Sequence, residues 1–242
     1  MRVHFIIHEA FEAPGAFIPW AEARGCDITF SQVYQGEPLP KDASGIDLLV
    51  IMGGPQSPET TREECPHFDS QAEQHLIHDC IDTGTAVVGV CLGAQLIGAA
   101  LGGPVERSPE KEIGVFPITF TTEGRADPKF RHFGESKPVG HWHGDMPGLT
   151  KGARVLAFSA GCPRQIVEYA PLVYALQCHM ELTPEVVDLL IEASGPELAE
   201  SRNHRFVQQP DALRANDYAE MNGLLHQFLD GLMEDYRQSR RG

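Results

Sequence analysis

Gly89-Val90-Cys91-Leu92-Gly93 sets a thiol between two glycines. A short apolar, β-prone run, 86–90, leads into it, and a small-residue helical pattern, 94–101, follows it. That is the cysteine version of the strand, sharp turn and helix that present a nucleophile. Glycine suits a turn too tight for Cβ atoms. Such a turn would put the Cys91 sulfur at a helix N-terminus, where free N–H groups and the helix dipole favour a thiolate. The bland alternative is a cysteine buried in a parallel strand. The flanking glycines and the strand-to-helix switch argue against it.

A thiol nucleophile needs a base, and the base needs a group to orient it. The chain has 11 histidines, so residue type alone selects none. The run Tyr174-Ala175-Leu176-Gln177-Cys178-His179-Met180-Glu181 selects His179. Side chains two apart on a strand share a face, which sets Glu181 beside the His179 ring at the strand's end. Gly53-Gly54-Pro55 follows an apolar strand, and its backbone N–H groups can form an anion-binding nest. With the Leu92 amide it could stabilise an oxyanion. His141-Trp142-His143-Gly144-Asp145 invites a metal reading. No third or fourth ligand stands at a convincing spacing, so no metal is expected. The chain carries no G-x-x-x-x-G-K-[ST] phosphate loop, and no cofactor is expected.

The elements that must position these residues alternate. Strands are expected at 3–7, 26–33, 48–52 and 86–90, with helices at 14–24, 70–82 and 94–101. Apolar strands alternating with helices imply a parallel sheet covered on both faces. After Gly103 the pattern turns β-rich, with strands expected at 115–121, 139–142, 153–158, 165–169 and 172–178, continuing the same sheet. A helix is expected at 183–193, an irregular polar stretch at 202–210, and a final amphipathic helix at 215–236. Its apolar stripe would either cover the sheet or pair two copies of the chain.

The 242 residues suffice for one large α/β domain. Net charge is −15, which disfavours nucleic acid and anionic membranes as partners. No apolar stretch approaches the ~20 residues of a membrane span. Residues 1–15 read as a first strand rather than a signal peptide. Six cysteines without C-x-x-C pairing then read as reduced thiols in the cytoplasm.

Gly53-Gly54-Pro55, Gly89-Val90-Cys91-Leu92-Gly93-Ala94-Gln95, His143-Gly144-Asp145 and Gln177-Cys178-His179-Met180-Glu181 stand in the order seen in class I (triad) glutamine amidotransferases. The chain most resembles the glutaminase domain of GMP synthetase and its stand-alone relatives, over about residues 3–184. The resemblance implies a three-layer α/β fold with a flavodoxin-like, mostly parallel central sheet, a small β-rich addition and C-terminal helices. It implies a single domain, 1–242, with a core over 3–184 and a helical extension over 185–242. Cys91 would attack the side-chain amide of glutamine or a γ-glutamyl compound, His179 would be base and then acid, and Glu181 its orienter. The Gly54 and Leu92 amides would form the oxyanion hole. Gly53, Gln95, His143, Gly144 and Asp145 would meet the substrate.

Two departures stand out. The family usually reads Phe-His-Pro-Glu where this chain has Cys178-His179-Met180-Glu181, which removes a rigid turn. The extension is also too short for a synthetase domain, so an ammonia acceptor would sit on another chain. Two alternatives stand against the enzyme reading. One is another cysteine hydrolase of similar three-layer fold, in which a histidine soon follows the cysteine; none does here. The other is a non-enzymatic or partner-dependent subunit on the same fold.

Overall fold

Alternate residues of the first strands go to opposite faces, and both faces are apolar. The computed structural model of the chain describes residues 1–241. Its first hundred residues run β1 (Arg2–Ile7), α1 (Phe17–Ala23), β2 (Asp27–Gln32), β3 (Leu48–Ile51), α2 (Ser70–Asp82), β4 (Ala86–Val90) and α3 (Leu92–Ala100). Val3, Phe5, Leu48, Val50, Val88 and Val90 pack into one core. Ile6, Leu49, Ile51 and Val87 pack into a second on the other face. That period of two is what a strand buried on both sides requires.

Five further strands and a short helix follow: β5 (Glu106–Phe120), α4 (Thr122–Ala126), β6 (Ser136–Met146), β7 (Arg154–Ser159), β8 (Ile166–Ala170) and β9 (Val173–Leu176). The chain then runs through α5 (Pro184–Ala193), α6 (Gly195–Glu200), β10 (Phe206–Val207), α7 (Pro210–Ala215) and α8 (Ala219–Ser239). The parallel strands lie in the order β2-β1-β3-β4-β9. With β9 as the fifth strand this is the flavodoxin-like order 2-1-3-4-5. The β-rich segment enters between the fourth and fifth of these strands. It continues the sheet as an antiparallel flank, β9-β8-β7-β5, with β6 paired to β5 and β10 added parallel at the edge.

Helices α2 and α3 cover one face through Leu76, Ile77, Leu96 and Ile97. Helices α1 and α8 cover the other through Phe17, Trp20, Phe228 and Leu232. The layers are therefore three. The apolar stripe of α8 is buried in the core on this face, where Phe228 stacks on Phe130 at 5.0 Å between centroids, and Asp230 ties the helix to α1 by accepting from Trp20 Nε1 at 3.0 Å. Burying a large apolar side chain contributes roughly 1.5–3 kcal/mol, so this stripe anchors the C-terminal helix firmly.

Three expectations need correction. Strands expected at 115–121 and 139–142 extend to Glu106–Phe120 and Ser136–Met146, because the ladder between them recruits polar residues that show no alternation. The stretch 202–210 holds β10, whose two residues join the β5 edge. The last helix begins at Ala219 rather than at residue 215, where Asp217 accepts from the Ala219 amide. Among the described residues no helix is long and apolar enough to cross a membrane.

Candidate active site

The chain leaves β4 at Val90, and Cys91 takes φ 50° and ψ −106° before α3 starts at Leu92. A non-glycine residue at positive φ costs on the order of 1–3 kcal/mol, and its neighbourhood must enforce it. The neighbourhood here leaves no room. A Cβ on Gly89 would lie 2.3 Å from the Gly93 carbonyl carbon, and one on Gly93 would lie 2.1 Å from the Ile51 carbonyl oxygen. Helix and strand therefore approach closely enough to hold the strained thiol at the helix N-terminus. The Cys91 sulfur points toward the Trp142 carbonyl at 3.6 Å, and its amide donates to Leu176 at 2.8 Å.

That second bond brings β9 alongside, and three residues on stands His179. Its Nδ1 donates to Glu181 Oε1 at 2.7 Å, and both side chains are fully buried. Its Nε2 has no hydrogen-bond partner among the described residues. Burial, the largest single influence, opposes charge on this ring. The Glu181 carboxylate and the adjacent Cys91 together overcome it and hold the His179 pKa well above the ordinary value. The His179 amide donates to Gly140 at 2.8 Å, tying the ring's backbone to β6.

Beyond His179 the missing proline has a substitute. Asn222, on α8, donates its Nδ2 to the Met180 carbonyl at 2.8 Å and the Leu182 carbonyl at 3.0 Å. The Glu181 carbonyl accepts from Ala16 at 2.9 Å. The segment is held from both sides by hydrogen bonds instead of by a ring. The C-terminal helix is thus a support for the site as well as a cover.

At the end of β3 the Gly53 carbonyl accepts from His8 Nδ1 at 2.9 Å, while His8 Nε2 donates to Glu73 at 2.9 Å. Both side chains are buried. The Glu73 charge and the bond to Gly53 raise the His8 pKa against the strong opposing effect of burial. A trans peptide points C=O and N–H in opposite directions, so this pin also fixes the Gly54 N–H, aimed away from His8.

Gly54 and Cys91 share the wall of a cavity of about 340 Å³. That is the small end of the usual ligand range of about 300–1,000 Å³. Its inner wall includes Glu12, Gln56 and Gln95; its rim carries Arg107 paired with Asp145 at 3.1 Å and Lys111 paired with Glu197 at 2.6 Å. Burial chiefly, with the Glu181 charge outweighed in part by His179, pushes the Glu12 carboxyl above its usual range.

Glutamine amidotransferase class-I is the family whose pattern matches this chain, over residues 20–193. The chain belongs to that family. The proteins that it resembles include one named "Putative glutamine amidotransferase-like protein YfeJ", of Salmonella typhimurium, 56% identical over 232 residues, covering 96% of this chain and 97% of that one. The chain is also 31% identical over 137 residues to the GMP synthase [glutamine-hydrolyzing] of Candida glabrata. That match covers 56% of this chain and 24% of the synthase, so the chain spans about a quarter of it. A solved glutamine amidotransferase from Thermotoga maritima superposes with a TM-score of 0.85 at 25% identity, covering 97% of this chain and 98% of that one.

For a chain of this class, the fold gathers most of the residues expected from sequence at the carboxyl ends of β3, β4 and β9, where doubly wound sheets bind ligands. Gln95 reaches the cavity and donates to Gln177 at 3.2 Å. Gly144 and Asp145 sit at the rim, and His143 lines the cavity while turning its ring toward Gln165, 3.2 Å away. Gly53 turns its carbonyl to His8 Nδ1, and a Cβ there would lie 2.3 Å from Glu12 Oε2. Spacing along the chain offers His141 and His143 no third ligand, but the fold brings Glu112 close. Strand pairing sets Glu112 opposite His143, a proximity that spacing along the chain cannot show.

Sequence reasoning missed Glu12, His8, Glu73 and Asn222. For Glu12 and His8 a signal existed, since both follow the first strand and so lie at the sheet's ligand-binding edge. Three of the other cysteines, Cys80, Cys162 and Cys178, are buried thiols ill suited to be nucleophiles. Burial pushes the Cys80 thiol up to about 12 and raises Cys162 and Cys178 as well.

Proposed function

We propose that this amidotransferase-family chain hydrolyses the side-chain amide of glutamine or of a γ-glutamyl compound. The observation that carries this reading is the strained Cys91 at the start of α3, beside a His179 ring whose Nδ1 is committed to Glu181 and whose Nε2 is free. His179 Nε2 takes the thiol proton as Cys91 Sγ attacks the amide carbon. The Gly54 and Leu92 amides receive the developing oxyanion. The imidazolium returns its proton to the departing nitrogen, ammonia or an amine leaves, and a γ-glutamyl thioester remains. Water, deprotonated by His179, then cleaves the thioester and regenerates the thiol. Glu181 keeps the ring in its productive tautomer and steadies its positive form. The two ion pairs at the rim offer both signs of charge to the zwitterionic end of an amino acid.

The site's own backbone supports turnover without a partner, because His8 fixes the Gly53–Gly54 peptide within this chain. The likeness to part of a GMP synthase keeps a separate synthetase as the competing reading. The acidic surface and free thiols fit a cytoplasmic protein that does not bind nucleic acid. The test is steady-state ammonia or amine release in chelator, without ATP, across glutamine, asparagine and several γ-glutamyl peptides. Turnover of a γ-glutamyl substrate supports the proposal. A silent protein whose Cys91 is nonetheless labelled stoichiometrically by a glutamine-like electrophile overturns autonomy in favour of a partner.

A further inference from the structure

A second buried cluster lies on the β5–β6 ribbon behind the cavity. Glu112 on β5 is in register with His143 on β6, and His141, two residues earlier, shares its face. Glu112 Oε2 lies 3.4 Å from His143 Nε2 and 3.8 Å from His141 Nδ1. One donor atom from each residue lies within 4.8 Å of the other two. An ion with bonds of about 2.0–2.1 Å in tetrahedral geometry sets its donors about 3.3 Å apart, so a small contraction brings these three onto one centre.

The surrounding contacts prepare those atoms to bind. His141 Nε2 donates to the Phe116 carbonyl at 3.2 Å, which leaves the lone pair on Nδ1. That Nδ1 is buried and has no partner among the described residues. Ser159 Oγ lies 2.8 Å from each Glu112 oxygen. Orienting a ligand histidine through its other nitrogen, and a ligand carboxylate through a hydroxyl, is how metal sites are braced. Gln165 Nε2 lies 2.7 Å from Glu112 Oε2 and 3.2 Å from His143 Nε2, while Gln165 Oε1 is buried without a partner. Turning this amide over would present an oxygen to the centre. As a purely hydrogen-bonded network the cluster strands His141 Nδ1, His143 Nδ1 and Gln165 Oε1, an uncommon outcome for buried polar atoms. A cation satisfies the first and, with the amide turned over, the last.

We propose that Glu112, His141 and His143 bind a divalent transition-metal ion, zinc foremost, with the Gln165 amide oxygen as a fourth ligand. Two imidazoles and one carboxylate suit zinc or its first-row neighbours, and not the all-oxygen preference of calcium or magnesium. The ion braces the ribbon behind the cavity and takes no part in thioester chemistry, so the proposal stands apart from the proposed function.

The test uses metal-free full-length protein titrated with cobalt(II), read by visible absorption, and then displaced by zinc. One ion per chain is expected, with the bands of a low-symmetry nitrogen and oxygen site and no thiolate-to-cobalt charge transfer. Affinity should fall at least about 100-fold in His141→Ala and in Glu112→Gln. If either variant fails to fold, histidine NMR of wild-type protein must show zinc shifting two rings, one through Nδ1 and one through Nε2. Absence of stoichiometric binding overturns the proposal, as does binding unchanged in both variants. A thiolate band also overturns it, by placing the ion at Cys65 and His67, whose sulfur and Nε2 are 3.4 Å apart.

Discussion

Two histidine–carboxylate pairs flank the cavity, and they differ in one nitrogen. His179 meets Glu181 at 2.7 Å and His8 meets Glu73 at 2.9 Å; both pairs are buried, and both rings have raised pKa values. His8 spends its second nitrogen on the Gly53 carbonyl, which commits the ring to holding backbone. His179 leaves its second nitrogen open beside Cys91. On the proposed function, the same buried pair carries a proton when one nitrogen stays free and props backbone when neither does. Residue type, burial and charge do not distinguish the two; what meets the second ring nitrogen does.

The sharpest break of this comparison is at the free nitrogen. Cys91→Ala should lower kcat by about 10⁴-fold or more with the fold intact, and His179→Ala by as much, at some cost in stability because Glu181 is left buried and unpaired. Because members of a catalytic unit are non-additive, the double variant should be no slower than Cys91→Ala alone. Glu181→Gln keeps the ring's neighbour but loses its charge, and its loss should be roughly a hundredfold milder. Steady-state kinetics with circular dichroism checks all four proteins. A double variant much slower than either single one would separate His179 from the thiol.

The prop should fail differently. Replacing His8 alone would leave Glu73 buried and unpaired, so the informative variant is His8→Gln with Glu73→Gln. Freeing the Gly53–Gly54 peptide removes an oxyanion donor, with an expected fall in kcat of about 10²-fold and little change in KM. Alkylation of Cys91 by iodoacetamide needs a thiolate and no oxyanion hole, so its rate should stay near wild type. If alkylation slows in step with kcat, His8 acts through the Cys91–His179 pair and the two regions are not distinct. Asn222→Ala, which loosens the Met180 and Leu182 carbonyls, should cost about tenfold in kcat, with the opposite signature: slower alkylation, since His179 is what moves.

The two regions were unequally legible in the sequence. Cys91 was visible because its glycines and its strand-to-helix switch are local, and the structure gives each glycine its steric reason. His179 and Glu181 were visible because two residues on one strand share a face. The parallel half of the sheet followed from apolar runs buried on both sides. The prop was invisible, since His8 and Glu73 lie 65 residues apart and neither stands in a motif. Asn222 lies 42 and 40 residues from the carbonyls it holds, inside a helix that otherwise reads as apolar cover. Glu112 joins His141 and His143 only through a ladder whose polar end shows no strand pattern. Chemistry that depends on neighbours along the chain could be read; support that depends on the folded chain meeting itself could not.

The smallest predicted effect concerns pH and stability. His8 has a folded-state pKa above its unfolded value, so its contribution is full below about pH 6.5, the ordinary histidine value, and is lost as pH rises through the folded value. The stability gap between wild type and the His8→Gln/Glu73→Gln variant should therefore narrow as pH rises from about 6. Urea unfolding at a series of pH values measures that gap. His179 titrates in both proteins and cancels from it. The corresponding gap for His179→Gln/Glu181→Gln should also narrow as pH rises, because His179 too is held above its ordinary value. A gap for the His8 pair that widens with pH would mean the ring is neutral when folded. Its Nδ1 and Nε2 could not then both donate, and the bond to Gly53 or the bond to Glu73 would have to be given up. The prop would reduce to one contact, and the fixed Gly54 N–H would need another cause.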